Sequence, residues 1–250
     1  MRINENARMT SDLPASSPCA PAVAVAAADT PRIALIHALA ASVEPINQAL
    51  QARWPEARRM NLLDDSLSAD LAASPGGLDA AMTARFLALA DYAVGTGANA
   101  ILFTCSAFGP CIDAVKARHS GLPVHKPNEA MVDAAAAWAA EAGAGSKVGL
   151  LATFAPTLAS MPLEFPPAVV LDTELADGAL AALQAGDAAG HDRIAVEAAH
   201  RLAARGCGVI ALAQFSLARA AAAIEAALGL PVLTTPDSAV AALKRRLAGG

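Results

Sequence analysis

The second half of this chain repeats the first. Gly97-Ala98-Asn99-Ala100-Ile101 sits against Arg205-Gly206-Cys207-Gly208-Val209-Ile210, and Ile101-Leu102-Phe103-Thr104-Cys105 against Ile210-Ala211-Leu212-Ala213-Gln214. Downstream, Gly121-Leu122-Pro123-Val124 returns as Gly229-Leu230-Pro231-Val232, and the opening strand 32–37 returns as 147–152. Internal self-similarity constrains a fold more than any local propensity, because each copy must build the same supersecondary unit. Within each copy, short apolar runs alternate with helical stretches, the pattern of βαβ units around a parallel sheet. The sequence therefore predicts an α/β protein of two similar three-layer lobes, each with a parallel four-stranded sheet. A pseudo-two-fold axis relates the lobes and a cleft separates them.

The expected boundaries follow from composition breaks. Residues 1–30 read as a disordered lead, 31–143 as the first lobe, 144–236 as the second, and 237–250 as a last helix crossing back onto the first. The split falls at Gly143-Ala144-Gly145. Residues 66–78 hold Ser, Asp, Pro and a Gly-Gly pair and read as a loop, whereas 79–96 and 129–142 read as helices. In the second copy, strands are expected at 169–171, 208–213 and 230–233, and helices at 176–184, 190–204 and 216–228.

Hydrophobic residues make up 55% of the chain, which excludes a solvating or disordered protein. The net charge of −5 argues against nucleic acid as a partner, since backbone binding needs a basic face. No apolar stretch reaches the roughly 18 residues of a membrane span, and the chain reads as cytoplasmic. The four cysteines, Cys19, Cys105, Cys111 and Cys207, are too sparse for a disulfide scaffold and lack zinc spacing. No metal site is expected. Ile36-His37-Ala38-Leu39 offers no glycine-rich turn for a dinucleotide, and no G-x-S-x-G elbow marks a serine hydrolase.

Cys105 carries the chemistry. It ends an apolar strand and precedes a helix whose turn contains Phe108, Gly109 and Pro110. Helix-terminal amides there would favour a thiolate, and with the hydroxyls of Thr104 and Ser106 they would hold a carboxylate or an oxyanion. Ligands of open α/β sheets bind at this edge. His37 ends the first strand at the same edge and is the candidate base or thiolate partner. Cys111 is expected to pack inside its helix, and Cys207 to lie at the wrong end of its strand. His119, His191 and His200 read as solvent-facing.

The segment 101–107 resembles the first cysteine site of the aspartate/glutamate/hydantoin racemase superfamily. Residues 149–157 resemble its second-lobe opening strand and threonine-rich turn, and 208–213 the strand carrying its second cysteine. The superfamily includes amino-acid and hydantoin racemases, maleate isomerases and arylmalonate decarboxylases, all working without cofactor. The resemblance implies a small carboxylate substrate, with Thr153 and Thr157 at positions that bind its carboxylate; Thr104, Ser106, Ala107, Gln214, Phe215 and Ser216 are the further candidates for the substrate site. Ser42, Asn128 and Glu129 are candidates for orienting the catalytic groups. A homodimer or higher homo-oligomer is compatible with such a scaffold.

One departure shapes the functional expectation. Family racemases carry one cysteine per lobe, whereas the position paired with Cys105 is Gln214, followed by Phe215 and Ser216. An amide cannot serve as a base or a nucleophile. Three readings stay open: a racemase or isomerase working through a Cys105 thiolate, a single-cysteine decarboxylase of malonate-type acids, and a carboxylate-binding protein without catalysis.

Overall fold

The computed structural model describes residues 30–249. The proposed lead 1–30 and Cys19 therefore lie almost wholly outside the described residues. The first copy runs β1 (Arg32–His37), α1 (Val43–Arg53), β2 (Arg58–Leu63), α2 (Ser66–Ala73), α3 (Ala80–Gly95), β3 (Ala100–Phe103), α4 (Gly109–Arg118), β4 (Val124–His125) and α5 (Glu129–Ala142). The second runs β5 (Lys147–Ala152), α6 (Ala155–Ser160), β6 (Val170–Leu175), α7 (Ala179–Gln184), α8 (Ala188–Ala204), β7 (Cys207–Leu212), α9 (Ala221–Leu228), β8 (Val232–Thr234) and α10 (Thr235–Ala248).

Two parallel four-stranded sheets result, ordered β2-β1-β3-β4 and β6-β5-β7-β8. Their matching order is the duplication expressed in three dimensions. The central strands are buried on both faces, which is why they read as unbroken apolar runs. The edge strands β2 and β6 are mostly exposed or half-buried, and Arg58, Arg59, Asp172 and Glu174 sit there without penalty.

The two last helices are exchanged. In α5, Met131, Val132 and Ala135 pack with Val148, Leu150, Val209 and Ala211 of the second sheet. In α10, Ala239, Val240 and Leu243 pack with Ile33, Leu35, Ala100 and Leu102 of the first. Each copy thus closes the other's core, and burying each of the larger apolar side chains contributes about 1.5–3 kcal/mol. Gly208 allows α5 to lie close: a Cβ there would come within 2.7 Å of Trp138 Cη2. Arg53 on α1 pairs with Asp237 of α10 at 2.5 Å, and Phe215 from the second copy inserts into the first core.

Two local readings need correcting. Residues 66–73 form helix α2 rather than loop, because Leu67 and Leu71 share one face and pack on the first core. Residues 74–78 are irregular as expected, with the Gly77 N–H closing a turn onto Ser74 O. His191 is fully buried rather than solvent-facing: it lies on the stripe with Ala195, Ala198, Ala199 and Leu202 that α8 presents to the second core. His119 is partly buried beside Asp91 at 2.9 Å, whereas His200 is exposed. No helix among the described residues is long and apolar enough to cross a membrane.

Candidate active site

The C-terminal ends of the central strands in both lobes carry the polar side chains that the sequence singled out. Cys105 follows β3 and Gln214 follows β7, and each is the extended residue that opens a 3-10 turn, with φ, ψ of −127°, 120° and −142°, 146°. The duplication thus places Gln214 in the second lobe where Cys105 stands in the first. The turns after β1 and β7 pack on one another, so the ends of β1 and β7 meet at the junction of the lobes.

Cys105 is half-buried beside His37, Leu67, Phe86 and Phe103. Burial pushes its thiol up, while the Ala107 N–H and the Ser68 hydroxyl pull it down less strongly. The sequence-based expectation of a thiolate at rest is therefore reversed. The turn after Cys105 brings an amide to the sulfur, but the apolar wall disfavours its charge more. Ser68 was not visible in the sequence because it belongs to α2. Its hydroxyl oxygen also lies 3.0 Å from Ala38 O, which places it on the β1 side of the thiol.

His37 is completely buried, and both ring nitrogens are engaged. Asn47 and Asn61 exchange side-chain amide hydrogen bonds, which turns Asn61 Oδ1 toward His37 Nε2 at 3.0 Å. His37 therefore carries its proton on Nε2, and Nδ1 accepts from the Thr104 hydroxyl at 2.8 Å. The Ser42 hydroxyl lies 2.8 Å from Thr104 Oγ1 and 2.7 Å from Leu39 O. Burial lowers the His37 pKa below 6.5, with Asn61 opposing, so the ring is neutral near pH 7. Thr104, Ser42 and His37 form one closed cluster beneath the Cys105 turn. All three side chains are buried and bonded to one another.

In the second lobe, Gln214 Oε1 accepts from both the backbone N–H and the hydroxyl of Thr153, at 2.6 and 2.8 Å. A backbone N–H can only donate, so the amide orientation is fixed and its NH2 group is directed elsewhere. That group has no hydrogen-bond partner among the described residues, leaving two donors. Thr157 and Ser216 are half-buried with free hydroxyls among the described residues, and Phe215 is buried in the opposite core. Ser106 and Ala107 are exposed on the Cys105 turn.

Asn128 and Glu129 open α5 and, with Ser106, line a cavity of about 350 Å³. Glu129 contacts Lys116, and its Oε1 lies 3.0 Å from His125 Nδ1. Burial works against its charge, but His125 and Lys116 outweigh this and hold its carboxyl below the ordinary range. Cys111 and Cys207 are buried, at the first turn of α4 and the start of β7. No group of three or more His, Cys, Asp or Glu among the described residues could hold a metal.

The family model described as Asp/Glu/Hydantoin racemase matches residues 38–243. This chain belongs to that family. Solved structures agree on the fold. An allantoin racemase from Klebsiella pneumoniae superposes with a TM-score of 0.64 at 17% identity, over 87% of this chain and 88% of that one. A glutamate racemase from Francisella tularensis in complex with D-glutamate gives 0.62 at 16%, over 88% and 82%. A liganded arylmalonate decarboxylase, with one glycine changed to cysteine and one cysteine to serine, gives 0.59 at 23%, over 88% and 94%. No curated protein matches the chain by sequence.

Proposed function

We propose that this chain is a cofactor-independent enzyme that develops negative charge on the carbon beside a small substrate's carboxylate and protonates that carbon from one face only, through Cys105. The carrying observation is Gln214. It occupies the position equivalent to Cys105, and its carbonyl is held by Thr153, so the second copy supplies no proton-transferring side chain at that position. Inverting a stereocentre by two-base proton transfer needs a poised group on each side. Quenching a carbanion needs one acid, and a thiol whose pKa is pushed up rests in the acid form.

The reaction that fits best is decarboxylation of a malonate-type acid. The bond to one carboxylate breaks and carbon dioxide leaves. The electron pair stays on the remaining carbon and its carboxylate as an enediolate. That carbon takes the Cys105 proton, and solvent returns a proton to the sulfur. The Ser106 hydroxyl and the Gln214 NH2 group are donors suited to the oxyanion, where such groups act most strongly. His37, Thr104 and Ser42 hold the turn that aims the thiol.

A second reading, racemisation or isomerisation, is favoured by the family match and by the likeness to glutamate and allantoin racemases. In it, Cys105 loses its proton once substrate is bound, and a group other than Gln214 completes the exchange. The deciding experiment offers arylmalonates, amino acids and hydantoins in deuterated water. Carbon dioxide release with one deuterium on a single face, abolished by Cys105→Ser, supports the first reading. Deuterium exchange and inversion of both enantiomers of one substrate supports the second. No turnover of any substrate leaves a binding protein on this scaffold.

A further inference from the structure

The cavity beside Ser106 opens where α4 and α5 begin, and the second-lobe turn Met161–Glu164 contributes Glu164 to its wall. Its polar wall is Ser106, Lys126, Asn128, Glu129, Asp133 and Glu164. Two of the charges are already matched. Lys126 Nζ lies 2.8 Å from Asp113 Oδ2, and Glu129 is held by Lys116 and His125. Asp133 and Glu164 have no ion-pair partner among the described residues. The lining thus sets three carboxylates, Glu129, Asp133 and Glu164, against one ammonium, Lys126, which also acts on Glu164, and this excess of negative charge disfavours an anion.

Asn128 adds an independent sign of a ligand. The residue is only 4% exposed, yet its side chain caps no backbone N–H and has no hydrogen-bond partner among the described residues. No described neighbour takes up its amide, which lines the cavity and is open to a molecule there. Its carbonyl oxygen and the Asp133 and Glu164 carboxylates are acceptors, matching the three N–H donors of a primary ammonium group. The lining lacks the side-chain cluster that a metal ion needs.

We propose that this cavity binds the protonated primary amine of a small organic ligand. It would receive the far end of a substrate whose carboxylate end is worked on at Cys105; this second clause rests on the function proposed above. Ser106 lines the cavity and follows Cys105 directly in the chain, so the two regions adjoin. Glu164 behaves as expected of a carboxyl awaiting a cation: burial pushes it up, Lys126 opposes this and Glu129 adds to it.

The test uses butylammonium chloride and sodium butanoate as probes, titrated at low salt into the full chain and followed by ligand-observed NMR and calorimetry. Butylammonium is expected to bind saturably and butanoate not to compete with it. Glu164→Gln, at an exposed rim position, should weaken butylammonium about fivefold, in keeping with a partly solvated charge pair. Asn128→Ala should weaken it as well, with an unchanged thermal transition confirming the fold. Failure of butylammonium to bind, equal binding to wild type and both variants, or displacement by butanoate would each overturn the proposal. Cys105→Ser should bind butylammonium as the wild type does. Loss of turnover therefore speaks only to the Cys105 chemistry, and loss of butylammonium binding only to this cavity.

Discussion

Gly208→Ala should destabilise the protein although it introduces a better strand residue. Gly208 lies in β7 with Trp138 of α5 directly above it. A methyl group there would lie 2.7 Å from Trp138 Cη2 and 3.0 Å from Cζ2. Carbon atoms pack best near 3.5–4.0 Å, so the indole or its helix must retreat by roughly 1 Å. Such overpacking costs about 1–3 kcal/mol. Trp138→Ala alone should cost about 2 kcal/mol, below the fully buried value because the side chain is only partly buried. In the Trp138→Ala background the clash is gone, and Gly208→Ala should then cost close to nothing. Urea unfolding of the four proteins in this cycle should give a coupling of about 1–3 kcal/mol. Equal costs of Gly208→Ala in both backgrounds would refute the packing of α5 on the second sheet.

Three further outcomes follow from the same structure. Leu243→Ala should cost about 2–5 kcal/mol, because this fully buried α10 side chain closes the first lobe's core, and urea unfolding reads it. Site-resolved iodoacetamide labelling of Cys105 should still be rising with pH above the ordinary thiol range near 8.5, and an early plateau would contradict burial of the thiol. His37 binds a proton less readily folded than unfolded, so its contribution to stability is present above about pH 6.5 and lost as pH falls through its lowered value. His37→Gln should flatten the stability profile in that acid window; an unchanged profile would place the titrating group elsewhere.

The duplication and the central strands were legible because buried parallel strands must be apolar on both faces. β1, β3, β5 and β7 consequently stand out from any neighbouring stretch. The position of Gln214 was legible for the same reason, since a strand end in one copy locates its mate in the other. Its bond to Thr153 was not, because that pairing joins two strand ends far apart in sequence. The exchange of α5 was hidden too: Met131, Val132 and Ala135 mark a buried face but not which sheet it meets. α2 was masked by its Ser and Asp content, and with it Ser68 beside the thiol. The sequence showed His37 at a strand end, but the Asn61 and Thr104 contacts that occupy its ring come from neighbouring strands.

Proton delivery by Cys105 from a single face is tested most directly by running the wild type in deuterated water on a prochiral, substituted malonate. The product's enantiomeric composition and deuterium content are read by chiral chromatography and NMR. The expected result is carbon dioxide release, one deuterium at the α-carbon and one enantiomer in large excess, all lost in Cys105→Ser. Racemic product from the wild type, or turnover that survives Cys105→Ser, would contradict it.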